Sequence, residues 1–70
     1  MRYQFIVSNR VAEITSNVFE SAHSKEAVIE RLRKDAGNDA WSFETEDGTT
    51  AIIPGDLLRR SVILVYEVEA

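Results

Sequence analysis

The sequence predicts a small α+β domain. Its antiparallel sheet has about five strands, in the order ββαβββ, and one helix packs on one face. Three observations predict this. Helical periodicity is confined to one stretch, residues 25–35. Residues 41–68 read as strand, tight turn, strand, short break and a long final strand. The first residues, Arg2 to Val7, are rich in aromatic and β-branched side chains, as strands are.

Seventy residues make one domain. A chain this short buries only about 60% of its unfolded surface, so its stability is marginal unless something helps. Cysteine is absent, which removes disulfides, thiolate metal sites and thiol nucleophiles. A single histidine rules out a multi-histidine site within one subunit. No cofactor is therefore expected, and the usual remaining aid for a small chain is oligomerisation. Twelve acidic and eight basic residues leave a formal charge of −4. Residues 1–37 carry six basic and five acidic groups, and residues 38–70 carry two and seven. Net acidity argues against non-specific nucleic-acid binding, which rests on neutralising phosphates. No apolar run is long enough to cross a bilayer, and the N-terminus has a strand pattern, so no membrane association and a cytoplasmic location are expected.

In Arg2–Val7, Tyr3, Phe5 and Val7 share one face and Ile6 lies opposite. Ser8-Asn9-Arg10 is a turn signal. Val11–Phe19 is expected to pair back as the second strand, a helix over the same residues being the alternative. Its parity changes between Ile14 and Phe19, which places a bulge or a break around Ser16-Asn17. Ser24 is positioned to cap a helix over residues 25–35. Val28, Ile29 and Leu32 form its apolar stripe, and Gly37 is its stop.

Trp41-Ser42-Phe43-Glu44-Thr45-Glu46 alternates, with Trp41 and Phe43 inward as the expected largest core contributors. Asp47-Gly48 predicts a type I′ hairpin turn. Pro54 ends the returning strand, and Gly55–Leu58 reads as a single helical turn. The last strand carries Val62, Leu64, Tyr66 and Val68 on one side and Ile63 and Val65 on the other. Both sides are apolar until Glu67, so it reads as a central strand whose second face is also partly covered, by a helix, a partner subunit or a bound ligand.

Several motifs together resemble a class of small bacterial and bacteriophage α+β proteins without assigned activity. They are Glu20-Ser21 and Ser24 before the helix, Thr45-Glu46-Asp47-Gly48, Ile52-Ile53-Pro54, Leu57 and Ile63-Leu64-Val65. The resemblance implies the fold alone and carries over no site. Arg59-Arg60 and the long Val11–Phe19 segment fall outside its pattern.

Candidate chemistry is sparse. His23 has Ser21, Ser24 and Glu20 nearby, but its setting reads as an exposed loop before a helix, not a dry catalytic site. No set of nucleophile, base and orienting group can be assembled, so an enzyme is not expected. Asp39 and Asp56, with Glu44, Glu46 and Asp47, match no calcium-loop spacing. Glu44, Glu46 and Asp47 could instead imitate phosphate spacing and bind a nucleic-acid-handling protein, as an accessory or inhibitor protein of phage or mobile-element origin does. The competing account is a solvated strand face. Arg31, Arg33, Lys34, Arg59 and Arg60 form a basic patch only if the fold brings helix end and turn together. The leading expectation is a non-enzymatic interaction module that binds a protein partner, itself first, as a homo-oligomer through Ile6, Ile63 and Val65.

Overall fold

The computed structural model describes residues 1–37 and 39–68. Its elements run β1 (Arg2–Ser8), β2 (Glu13–Thr15), β3 (Phe19–Glu20), α1 (Lys25–Ala36), β4 (Ala40–Glu44), β5 (Thr50–Pro54), α2 (Gly55–Leu58) and β6 (Val62–Val68). The class is α+β with antiparallel pairing and one main helix, as the sequence predicts. The expected single sheet of about five strands is corrected: six strands form a four-stranded and a two-stranded sheet.

The extra strand comes from a bulge in the Val11–Phe19 segment, which is extended and not helical. β1 is the central strand. β6 pairs along its whole length, from Arg2↔Val68 to Ser8↔Val62. On the other side, β2 pairs with Ile6–Ser8 and β3 with Arg2–Tyr3. Between Thr15 and Phe19 lie three residues, and opposite them, between Tyr3 and Ile6, only two. The one extra residue switches the parity, so Ile14 and Phe19, five apart, both reach the core.

Ser16 makes the bulge affordable in a buried place. It is fully buried. Its N–H donates to the Phe5 carbonyl at 2.8 Å, and the Phe5 N–H donates to its Oγ at 2.9 Å. Gln4 Nε2 donates to the Ser16 carbonyl at 2.9 Å. A side chain thus replaces the ladder bonds that the bulge removes. The same point docks the β4–β5 hairpin: Ser16 bridges Thr45, and Asn17 N–H donates to the Glu44 carbonyl at 2.9 Å.

Helix α1 begins where Ser24 Oγ accepts from the Ala27 N–H and has Arg33 and Lys34 in its last turn. It ends at Gly37, whose φ of −79° is right-handed, so the stop does not use glycine's access to positive φ. Val28 and Leu32 are buried on the sheet, and Ile29 is half-buried beside them. α2 is the single turn expected after Pro54.

The hairpin turn differs from the expected type. Gly48, at φ +90°, is the only residue of positive φ among the described residues. A type I′ turn needs positive φ at Asp47 as well. Gly48 N–H instead donates to the Thr45 carbonyl at 3.1 Å, and Thr45 N–H to the Thr49 carbonyl at 2.8 Å. This is the pattern of a type I turn closed by a left-handed glycine, which spares Asp47 the strained conformation.

The core is Tyr3, Phe5 and Val7 of β1, with Val28, Leu32, Ile53 and Leu58. Phe5 is its hub. Its ring lies 5.0 Å from Trp41 and 4.9 Å from Phe43, centroid to centroid, and 6.1 Å from Phe19. Trp41 and Phe43, expected to dominate the core, are only half-buried and pack against it. They sit on the two-stranded sheet, which among the described residues is joined to the first by the single Ser16–Thr45 bridge. No helix among the described residues is long and apolar enough to cross a membrane.

Candidate interaction surface

Pairing with β1 decides which face of β6 is inside. Val65 lies opposite Phe5 and Ile63 opposite Val7, so both face the helix and pack against the core. Leu64 lies opposite Ile6, Tyr66 opposite Gln4 and Val62 opposite Ser8, all on the outer face. No helix covers that face: the only long helix among the described residues packs on the other. Val62, Leu64 and Tyr66 are 60, 53 and 38% exposed.

The expected self-interface of Ile6, Ile63 and Val65 is therefore corrected. Ile6 is on the opposite face from the other two. The unsatisfied apolar surface is Val62, Leu64 and Tyr66, flanked by half-buried Ile6. This surface is held rigidly. The Tyr66 hydroxyl donates to Gln4 Oε1 at 2.7 Å, and Gln4 in turn holds the Ser16 bulge. The ring is thus fixed with its apolar body in solvent.

The expected central position of the final strand is also corrected: β6 is an edge strand, paired with β1 alone among the described residues, because β1 holds β2 and β3 on its other side. The opposite edge of the same sheet is formed by β2 and β3, three and two residues long. Strands this short are blunted against further pairing. β6 is seven residues long, contains no proline and carries one charge, Glu67. Beside it on the helix side runs a groove of about 380 Å3, lined by Ile29, Leu58, Ile63 and Val65 together with Arg33 and Arg59.

The basic residues do not assemble into one patch. Arg33 and Arg59 line that groove, but Arg31 lines a different one and pairs with Asp35 at 3.5 Å. Arg33 pairs with Glu30 at 3.4 Å, and Arg60 lies near Asn9 and Arg10. Lys34 is exposed in the last helical turn. The acidic residues are better grouped but differ in role. Glu44 is exposed on β4, and Glu46 and Asp47 lie in the hairpin tip. Asp47 accepts hydrogen bonds from the Thr45 hydroxyl, the Thr49 hydroxyl and the Thr49 N–H. These hold its carboxyl at about 2, below the usual range. Its charge belongs to the turn. No group of three or more histidine, aspartate or glutamate side chains among the described residues could hold a metal ion.

His23 is exposed, and its neighbours are occupied structurally. Ser21 Oγ accepts from the His23 N–H, and Ser24 Oγ caps α1. The His23 carbonyl accepts from the Tyr3 hydroxyl at 2.9 Å. Burial, then Glu67 and Glu26, push the Tyr3 phenol upward, so it stays a donor. A second groove, about 530 Å3, runs between α1 and the rings of Phe5, Phe19, Trp41 and Phe43. Every buried polar side-chain atom among the described residues has a hydrogen-bond partner, so no orphaned group points into it.

Sequence reasoning placed the bulge at Ser16-Asn17 but missed the hydrogen bonds of Gln4 and the Ser16 hydroxyl that hold it, and missed the open edge. The alternation along β6 was visible, but not which side β1 would claim. Against protein-family models, curated proteins and solved structures, the chain matches none.

Proposed function

We propose that this protein is a non-enzymatic interaction module that associates with itself through β6. The reading rests on one observation: an edge strand presents Val62, Leu64 and Tyr66 to solvent on a face that no other element among the described residues covers. Large apolar side chains contiguous on one face mark contact surfaces. A seventy-residue chain without cysteine also gains most from burying them. Rigid anchoring of Tyr66 by Gln4 supports the same reading, since a preorganised ring loses little freedom on contact.

Sedimentation equilibrium across a hundredfold range of concentration tests it. The wild type should show a mass at least twice that of the chain. Leu64→Glu should fold and sediment as a single chain. A wild type that stays single at all concentrations would remove the reading.

A further inference from the structure

We infer that two copies associate by antiparallel pairing of β6 with β6 across a two-fold axis, so that the four-stranded sheet continues through the interface. This rests on the self-association reading and adds the geometry of the contact. Three features point to it.

The first is the contrast between the edges. Alternate residues of β6 direct N–H and C=O away from β1, with no strand among the described residues to receive them. At the opposite edge of the sheet β2 and β3 are too short to offer a ladder, whereas β6 is seven residues long without a proline.

The second is charge. β6 is preceded by Arg59-Arg60 and carries Glu67 near its end. Antiparallel pairing sets the beginning of one strand beside the end of the other. Glu67 shares the helix-side face with Ile63 and Val65. A two-fold axis normal to the sheet keeps that face common to both copies. Glu67 of one copy then arrives at the Ser61–Ile63 end of the other, where Arg59 lines the groove. Arg59 has no ion pair among the described residues. Parallel pairing would set like charges together.

The third is the apolar side chains. On the outer face, Leu64 falls close to the axis, against Leu64 or Tyr66 of the second copy according to register. On the inner face, Ile63 and Val65 of both copies close the open side of the helix-side groove.

The test combines charge variants with hydrogen exchange. Arg59→Glu alone and Glu67→Arg alone should each weaken self-association several-fold, because each homodimer then holds like charges twice. An equimolar mixture of the two variants should recover wild-type affinity, since every Arg59–Glu67 contact in the mixed pair regains opposite charges. In the associated wild type, amide exchange should be slow at consecutive β6 residues. On dilution to single chains, alternate residues should become fast. If the chain associates while alternate β6 amides still exchange fast, or the mixture recovers nothing, edge pairing is wrong and self-association stands. If the chain never associates, both fall.

Discussion

The two faces of β6 are nearly equal in composition and opposite in circumstance. Ile63 and Val65 meet Phe5 and Val7 across the strand pair and lie under α1. Val62, Leu64 and Tyr66 are no less apolar, yet they stand in solvent. Alternating apolar residues on one face of a strand are ordinarily explained by a core. Here one face is explained by the core of the same chain and the other is not. The difference teaches that the apolar pattern of β6 exceeds what folding needs: one face serves the core, the other is left for the contact we propose, and substitutions should separate them.

The inner face should give the largest effects. Phe5→Ala removes the ring on which Trp41, Phe43 and Phe19 converge. Thermal or urea unfolding should show a loss of about 3–5 kcal/mol. That is comparable to the whole stability of a domain at roughly 0.05–0.15 kcal/mol per residue. Retained stability would mean the core is centred elsewhere.

Ser16→Ala should come next. It deletes the Oγ that accepts from the Phe5 N–H, leaving a buried donor unpaired. A cost of about 1–3 kcal/mol is expected in the same unfolding assay. It should also loosen the hairpin, because the bridge to Thr45 starts at this residue.

The outer face should be nearly silent in folding. Leu64→Ser, measured where only single chains are present, should change stability by less than about 1 kcal/mol, as exposed positions do. A loss as large as that of Phe5→Ala would show Leu64 to be core and would erase the distinction between the faces.

The smallest effect lies far from β6, at the hairpin tip, and it depends on pH. The Asp47 carboxyl is held at about 2 against an ordinary 3.8. The stability it lends is complete above the ordinary value and is lost as pH falls through the folded one. Between those two values the melting temperature of the wild type should therefore fall further than that of Asp47→Asn. Parallel curves would mean that the threonine hydrogen bonds do not favour the charged form.

Much of the fold was legible in residue patterns, for identifiable reasons. Ser24 and the Val28–Leu32 spacing defined the helix because capping and periodicity are local. The parity change between Ile14 and Phe19 located the bulge, because a strand can bring both inward only by inserting a residue. Pro54 marked a strand end because it lacks an N–H. What remained hidden depends on long-range pairing. Val62–Val68 is apolar on both sides, so only its register with β1 decides which side is buried, and that register joins residues more than fifty apart. The expected grouping of Ile6 with Ile63 and Val65 failed for this reason. The basic residues come together only in part: Arg33 and Arg59 line one groove, while helix rotation sends Arg31 and the α2 turn sends Arg60 to others. At Asp47-Gly48 the dipeptide suits two hairpin types, and the number of loop residues decides between them.

The most direct measurement compares neighbours. Leu64→Glu and Val65→Glu place the same charge one residue apart on the same strand. Both are melted by circular dichroism at a concentration where the wild type is a single chain. The two-faced account predicts that Leu64→Glu melts close to the wild type, and that Val65→Glu melts lower by about 10 °C or more, since 1 kcal/mol shifts a domain of this size by about 4–8 °C. Equal melting temperatures, or the reverse order, would contradict it.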